Sequence, residues 1–200
     1  MAPCATLVGN VEVWDHASVW YGCVIKGDVR LVRIGAYTNI QDKCIIAEST
    51  GELDADHDGS TVIGHYVTVG HKCTLRACTI ESEVLIGMGS VVEDGAYIEK
   101  HAIVGAGSLV AAGTRVPSGE LWVGRPAKFV RKLTAEEIES IYTSAVNYRD
   151  VAKQHDAAIR GSGGSQTAHW ILEEQGHADR IGALEWPAVE PEYGLKKPDM

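Results

Sequence analysis

Metal or acid–base chemistry in this chain would fall to its eight histidines and five cysteines. The cysteines offer little for a metal: no CxxC occurs, and Cys23, Cys44, Cys73 and Cys78 recur in a position that takes only small or compact side chains, where a thiol packs as an apolar residue. Among the histidines, His65 stands one six-residue step before His71, so the two face different ways. His57 belongs to a loop, and His16, His101, His155, His169 and His177 have no ligand spacing. One stretch, Asp54-Ala55-Asp56-His57-Asp58-Gly59, matches the first half of a calcium-binding EF-hand loop. The twelfth position of that pattern needs a bidentate Glu and holds His65, so a solvated acidic loop between Glu48 and Ser60 is expected.

The elements that must position these residues repeat with a period of six. An aliphatic returns at Val13, Val19 and Ile25, at Ile34, Ile40 and Ile46, at Ile63, Val69 and Leu75, and then every six residues from Ile80 to Val116. Two residues before each aliphatic stands the small or compact side chain, as in Cys23, Thr38, Cys44, Cys73, Ser90 and Ala102. Both columns must point inward. A period of six matches neither 3.6 nor 2 without a turn in every repeat, and self-similarity at fixed spacing marks a solenoid. Three hexapeptides make one triangular turn, which predicts an all-β, left-handed parallel β-helix. Gly directly after the aliphatic, as in Ile34-Gly35, Ile63-Gly64 and Ile86-Gly87, suits the corners because glycine accepts backbone angles costly to other residues.

Composition agrees. At 200 residues and 45% hydrophobic content the chain can bury a sizeable core, and its single Phe fits a prism too narrow for rings. A net charge of −9 gives nucleic-acid binding no electrostatic support. No apolar run is long enough to span a bilayer. Four buried thiols fit a reducing compartment such as cytosol or mitochondrial matrix. The first repeat-like element, Val8-Gly9-Asn10-Val11, leaves no room for a targeting peptide ahead of it in the sequence as given.

Pro117-Ser118-Gly119 and Gly124-Arg125-Pro126 break the pattern and are expected to release the chain from the prism. Thr134 with Glu137 forms a capping box, and Ile138, Ile141, Ala145, Tyr148 and Ala152 make one apolar stripe. The expected organisation is therefore a β-helix over 1–130, a helix docked on its outside over 131–160, and a linker with an extended, partner-binding tail over 161–200.

From about position 3 to 160 the chain resembles the γ-class carbonic anhydrase family. The segments that carry this are Trp20 to Asp28, Thr38-Asn39-Ile40-Gln41-Asp42, Val67-Thr68-Val69-Gly70-His71, Ile86-Gly87-Met88-Gly89 and Pro117 to Phe129. Glu99-Lys100-His101 and Arg131 to Ile138, leading to Asn147-Tyr148, are similar to its mitochondrial branch, whose members are subunits of respiratory complex I. The resemblance implies a trimer with zinc held by three histidines between adjacent β-helices. Carried onto this chain, the first ligand position is Ala47, the second His71 and the third Arg76. Alanine has no lone pair to offer, and arginine brings a permanent positive charge where a dication would sit. The family's polar groups around the site correspond to Asp28, Gln41 and Asp42, with Lys26 where an arginine is usual. Without the metal, these four and Arg76 are expected to form an intersubunit network or an anion pocket.

In the family the first and third ligands come from one subunit and the second from its neighbour. The resemblance thus implies that this chain alone binds no cofactor, while His71 can complete a zinc site in a heterotrimer with paralogous subunits. The expectation is a non-catalytic structural subunit, peripheral to the membrane arm of complex I on the matrix side of the inner mitochondrial membrane. An active zinc-dependent carbonic anhydrase and, with less support, a hexapeptide acyltransferase using His71 as general base are the alternatives.

Overall fold

The structure, a computed structural model, describes residues 1–49, 51 and 57–161. The predicted tail beyond 161 and residues 50 and 52–56 of the acidic loop lie outside the described residues. Within them the chain winds as a parallel β-helix of short strands: β1 (Thr6–Val13), β2 (Ser18–Val19), β3 (Val24–Ile34), β4 (Asn39–Ile40), β5 (Ile45–Ala47), β6 (Thr61–Ile63), β7 (Thr68–Val69), β8 (Thr74–Arg76) and β9 (Thr79–Ile80). There follow β10 (Leu85–Ile86), β11 (Val91–Val92), β12 (Tyr97–Ile98), β13 (Ile103–Val104), β14 (Leu109–Val110), β15 (Arg115–Val116), β16 (Glu120–Gly124), β17 (Ala127–Lys132) and α1 (Ala135–Gly161). One face carries β2, β4, β7, β10, β13 and β16 in ladder order. The other two faces form a continuous ten-stranded sheet because the long strands β1 and β3 run round a corner and pair with each other on both sides of it.

The two inward columns form the core. From Val19 to Val116 every aliphatic of the six-residue series is at most 3% exposed. Val13 is the exception at 40%, because it belongs to the first turn and no turn lies beneath it. Cys23, Cys44, Cys73 and Cys78 are fully buried, and the first three thiols donate to carbonyls of the following turn, at Gln41, Gly70 and Gly87. Burial pushes the Cys78 thiol up to about 12, and contact with Cys23 and Cys73 together with burial raises Cys44.

The corner glycines work differently from the expectation. Gly35, Gly64, Gly70, Gly87 and Gly105 do not adopt positive φ; the left-handed residues come two positions later, at Tyr37, Tyr66, Lys72, Gly89 and Gly107. What the earlier glycines supply is close approach. A Cβ on Gly87 would lie 2.4 Å from the Ala106 nitrogen, and one on Gly64 would lie 2.6 Å from the Ser82 nitrogen.

The release from the prism is also later than the breakers imply. After Pro117-Ser118-Gly119, β16 continues one face in parallel with β13 (Ile103↔Leu121), and the chain then reverses at Arg125–Pro126 so that β17 pairs antiparallel with β16. Residues 131 and 132 therefore still belong to a strand, and the helix starts at Ala135 because Thr134 caps it: the Glu137 N–H donates to Thr134 Oγ1 at 3.3 Å and the Thr134 N–H to Glu137 Oε2 at 2.9 Å. Helix α1 packs on β2, β4 and β7. Ile141 and Ala145 are fully buried, and Tyr142 continues a ring stack through Tyr66 (4.9 Å) to Tyr37 (4.8 Å from Tyr66).

Candidate functional site

Ala47 and Arg76 end β5 and β8 and are partners in the parallel ladder; Lys26 on β3 pairs with Ala47 on its other side. Three adjacent strands thus present Lys26, Ala47 and Arg76 in one row, with strand spacings of about 4.8 Å. Neither cation is free. Lys26 Nζ lies 3.2 Å from Asp28 Oδ2. Arg76 Nε donates to Asp94 Oδ1 of the next turn, and the Asp94 side chain is only 15% exposed. The row holds an alanine methyl between two neutralised cations, and no metal fits there.

His71 sits elsewhere. It occupies a corner with Tyr21, Asp42 and Met88, joined turn to turn by the N–H of Lys43 to Tyr21 O, of Lys72 to Asp42 O, of Gly89 to His71 O and of Gly107 to Met88 O. Arg76 lies at the opposite edge of the same face, where Ala77 (φ 40) turns the next corner. Lys72, Cys73, Thr74 and Leu75 separate the two, with Lys72 in the left-handed conformation that turns the corner and β8 beginning at Thr74. A single subunit cannot bring the three ligand positions together, and among the described residues no group of three His, Cys, Asp or Glu could hold a metal ion.

The His71 ring is oriented from within the chain. Its Nδ1 lies 3.3 Å from Asp42 Oδ2, while Asp42 Oδ1 accepts the Tyr21 N–H at 3.1 Å. This is a contact between the carboxylate and one edge of the ring and not a hydrogen bond. His71 is 39% exposed on its side chain and its Nε2 makes no hydrogen bond among the described residues. It fits one ligand of a zinc site that other residues would complete. His65 does not substitute for it: it belongs to another corner, its Nδ1 accepts the Ala36 N–H at 2.9 Å, and burial lowers its pKa.

The remaining polar residues separate into pairs within one chain. Gln41 is 5% exposed, and its Nε2 donates to Asn39 Oδ1 (3.3 Å) while Asn39 Nδ2 donates to Thr68 Oγ1 (2.9 Å), a polar ladder on two of the strands against which α1 packs. Gln41 therefore does not touch Lys26, Asp28 or Arg76 in its own chain. Two functional neighbours carry little signal in the sequence. Asp94 follows Arg76 by eighteen residues, one turn of three hexapeptides, which the period could have revealed. Glu48, next to Ala47, is 8% exposed; its Oε1 accepts the N–H groups of Asp28 (2.9 Å) and Val29 (3.1 Å), pinning the turn that carries Asp28, while Oε2 is buried with no hydrogen-bond partner among the described residues. Nothing in its spacing announces that role.

Fold and site together define a hexapeptide-repeat β-helix protein with a histidine at one edge of a face and an altered ligand row at the other. The family described as "Bacterial transferase hexapeptide (six repeats)" matches residues 77–112. "Gamma carbonic anhydrase 1, mitochondrial" of Arabidopsis thaliana is 47% identical over 157 residues, 78% of this chain and 57% of that protein, so the chain spans little more than half of that relative's length. The "Probable carbonic anhydrase" of Methanocaldococcus jannaschii is 47% identical over 148 residues, covering 74% of this chain and 89% of that one. A crystal structure of a hexapeptide transferase family protein from Anaplasma phagocytophilum matches with a TM-score of 0.65 at 43% identity, over 76% of this chain and 89% of that chain. The chain belongs to the γ-carbonic anhydrase family.

Proposed function

We propose that this chain is a non-catalytic, γ-carbonic-anhydrase-like subunit that forms a heterotrimer with paralogous chains on the matrix side of the membrane arm of mitochondrial respiratory complex I. One observation carries the reading: at two of the three ligand positions stand Ala47 and Arg76, in register, with Arg76 tied to Asp94. No hydroxide can be generated on a metal there. His71 is turned outward from Asp42 and suits donation to a neighbour's zinc site. The mitochondrial placement is supported by the designation of the Arabidopsis relative, and a peripheral position by the absence, among the described residues, of any helix long and apolar enough to cross a membrane.

The test is the native size and composition of the endogenously tagged protein in gently solubilised membranes. Co-migration with complex I beside paralogues that keep all three histidines is the expected result; a free homotrimer overturns the assignment. The names of the relatives favour a second reading, an active carbonic anhydrase. Zinc-dependent hydration of carbon dioxide by the isolated chain would decide for it.

A further inference from the structure

Strand β17 ends its sheet: it pairs with β16 on one side and, among the described residues, with no strand on the other. Its six residues outrun every strand from β4 to β16, and from Lys128 onward all are exposed. Phe129 is 50% exposed, and Val130, left without a partner at the bulge, is 54% exposed. Helix α1 packs toward the other end of the sheet, on β2, β4 and β7. The free side of β17 is a row of backbone N–H and C=O groups, a template for a further strand. Its side chains say which strand fits. Segment 121–133 holds Arg125, Lys128, Arg131 and Lys132 and no acid, within a chain of net charge −9. Arg131 and Lys132 are paired with Glu137 and Glu120, while Lys128 has no ion-pair partner among the described residues. The register sorts these groups by face: Phe129 and Lys132 stand on the side of Trp122 and Glu120, Lys128 and Arg131 on the side of Val123 and Leu121. Each face of the edge therefore carries cations beside an exposed apolar residue, Phe129 on one and Val123 on the other.

We propose that the free edge of β17 is a docking site for an extended acidic segment of a partner protein, which adds to the sheet as one more strand. Its backbone continues the ladder, and carboxylates on its two faces meet Lys128 on one side and Lys132 on the other. Main-chain bonds supply affinity in this mode and side chains supply specificity. A membrane surface fits less well, because it meets one face of a strand only and offers no hydrogen bonds in register with the edge. A second copy fits less well too: pairing antiparallel about Val130 sets Lys128 against Lys132, and like charges directly opposite are destabilising. Cations also guard edges against unwanted pairing. A guarded edge is short and polar, whereas this one is long and leaves Phe129 and Val130 bare. The edge lies apart from the ligand row, so the inference does not rest on the subunit reading and its failure leaves that reading as it was.

The test uses the full chain and a fluorescein-labelled peptide repeating Glu-Glu-Val-Val, a pattern that puts acids and apolar residues on both faces of a strand. Fluorescence anisotropy is expected to show saturable binding, and hydrogen exchange read by mass spectrometry to show slowed amides in 128–132. Lys128→Glu should weaken binding about fivefold, the size of one cross-strand charge pair. The same peptide N-methylated at its valines keeps every charge but cannot continue the ladder, since adjacent residues send their N–H groups to opposite sides. It should bind at least about tenfold more weakly. This probe leaves the protein unaltered, so it carries the test alone should Lys128→Glu not fold. Equal binding of the methylated peptide, or of one repeating Lys-Lys-Val-Val, overturns the proposal, and so does the absence of peptide binding. Sedimentation with vesicles containing phosphatidylserine, without binding of the acidic peptide, would assign the edge to a lipid surface and likewise overturn it.

Discussion

Arg76 and Asp94 stand one turn apart, and the guanidinium Nε donates across that turn to a carboxylate of its own chain. The cation at the third ligand position is therefore held by the scaffold and is not waiting for a ligand. Any restoration of metal binding has to remove this pair as well as supply lone pairs.

Ala47→His with Arg76→His is expected to restore stoichiometric zinc in a homotrimer, with His71 contributed by the neighbouring copy. Either single substitution leaves at most two imidazoles per site and is expected to fail. Zinc content by elemental mass spectrometry after gel filtration reads the result. Stability should fall by no more than about 1 kcal/mol, since Arg76 is 57% exposed and exposed ion pairs contribute little. A folded trimer of the double variant without zinc would point to Lys26, where the family's arginine fork is missing.

Thiol chemistry separates packing from reactivity. Cys4 is exposed and the other four cysteines are buried. A thiol reagent should titrate one cysteine in the native protein and five after denaturation. Rapid reaction of a second thiol in the native state would mean that the inward column opens.

Core position should set the cost of truncation. Ile40→Ala removes a fully buried side chain with turns above and below it and is expected to destabilise by about 2–5 kcal/mol. Val13 has the same place in the repeat but is 40% exposed, so Val13→Ala should cost about 1 kcal/mol or less. Urea unfolding of both variants measures the contrast.

The contrast between these two valine and isoleucine positions also shows what a sequence can and cannot reveal. Period and residue size identify the inward columns, because each turn must fill the same triangular cross-section. They do not say where the stack ends, and exposure at Val13 depends on that. The corner glycines were placed correctly but for a different reason, since close approach between turns is a relation between residues roughly eighteen apart and leaves no local mark. At the site, the loss of donors at Ala47 and Arg76 is visible in residue type alone. Asp94 could be read from the period, one turn after Arg76, whereas Glu48 is chosen by how one turn stacks on the next, which residue type and spacing do not encode.

Acid should loosen the start of helix α1. The Arg131 guanidinium, which bonds Glu137 through both η-nitrogens at 2.7 Å, and then the Thr134 N–H, hold the Glu137 carboxyl at about 2, against an ordinary 4.5. A carboxyl whose native pKa is lowered contributes stability above its unfolded value and loses it as pH falls through the native one. Helix content followed by circular dichroism should therefore drop between about pH 4.5 and 2, and Glu137→Gln should flatten its share of that drop. An identical acid profile in the two proteins would assign the loss to other carboxyls.

Much of the prism's backbone bonding runs from turn to turn: the Gly70 N–H goes forward to Ile86 and the Gly87 N–H to Val104, while corner groups such as the Lys72 N–H reach back to Asp42. Each turn is thus held by its neighbours above and below chiefly through the backbone, and side chains on its rim add single bonds such as Arg76 to Asp94. A metal centre at such a rim is a removable fitting. Its ligands can be exchanged for an alanine and an arginine while the winding that presented them stays as it was, so the shape of the prism does not depend on what its rim can bind.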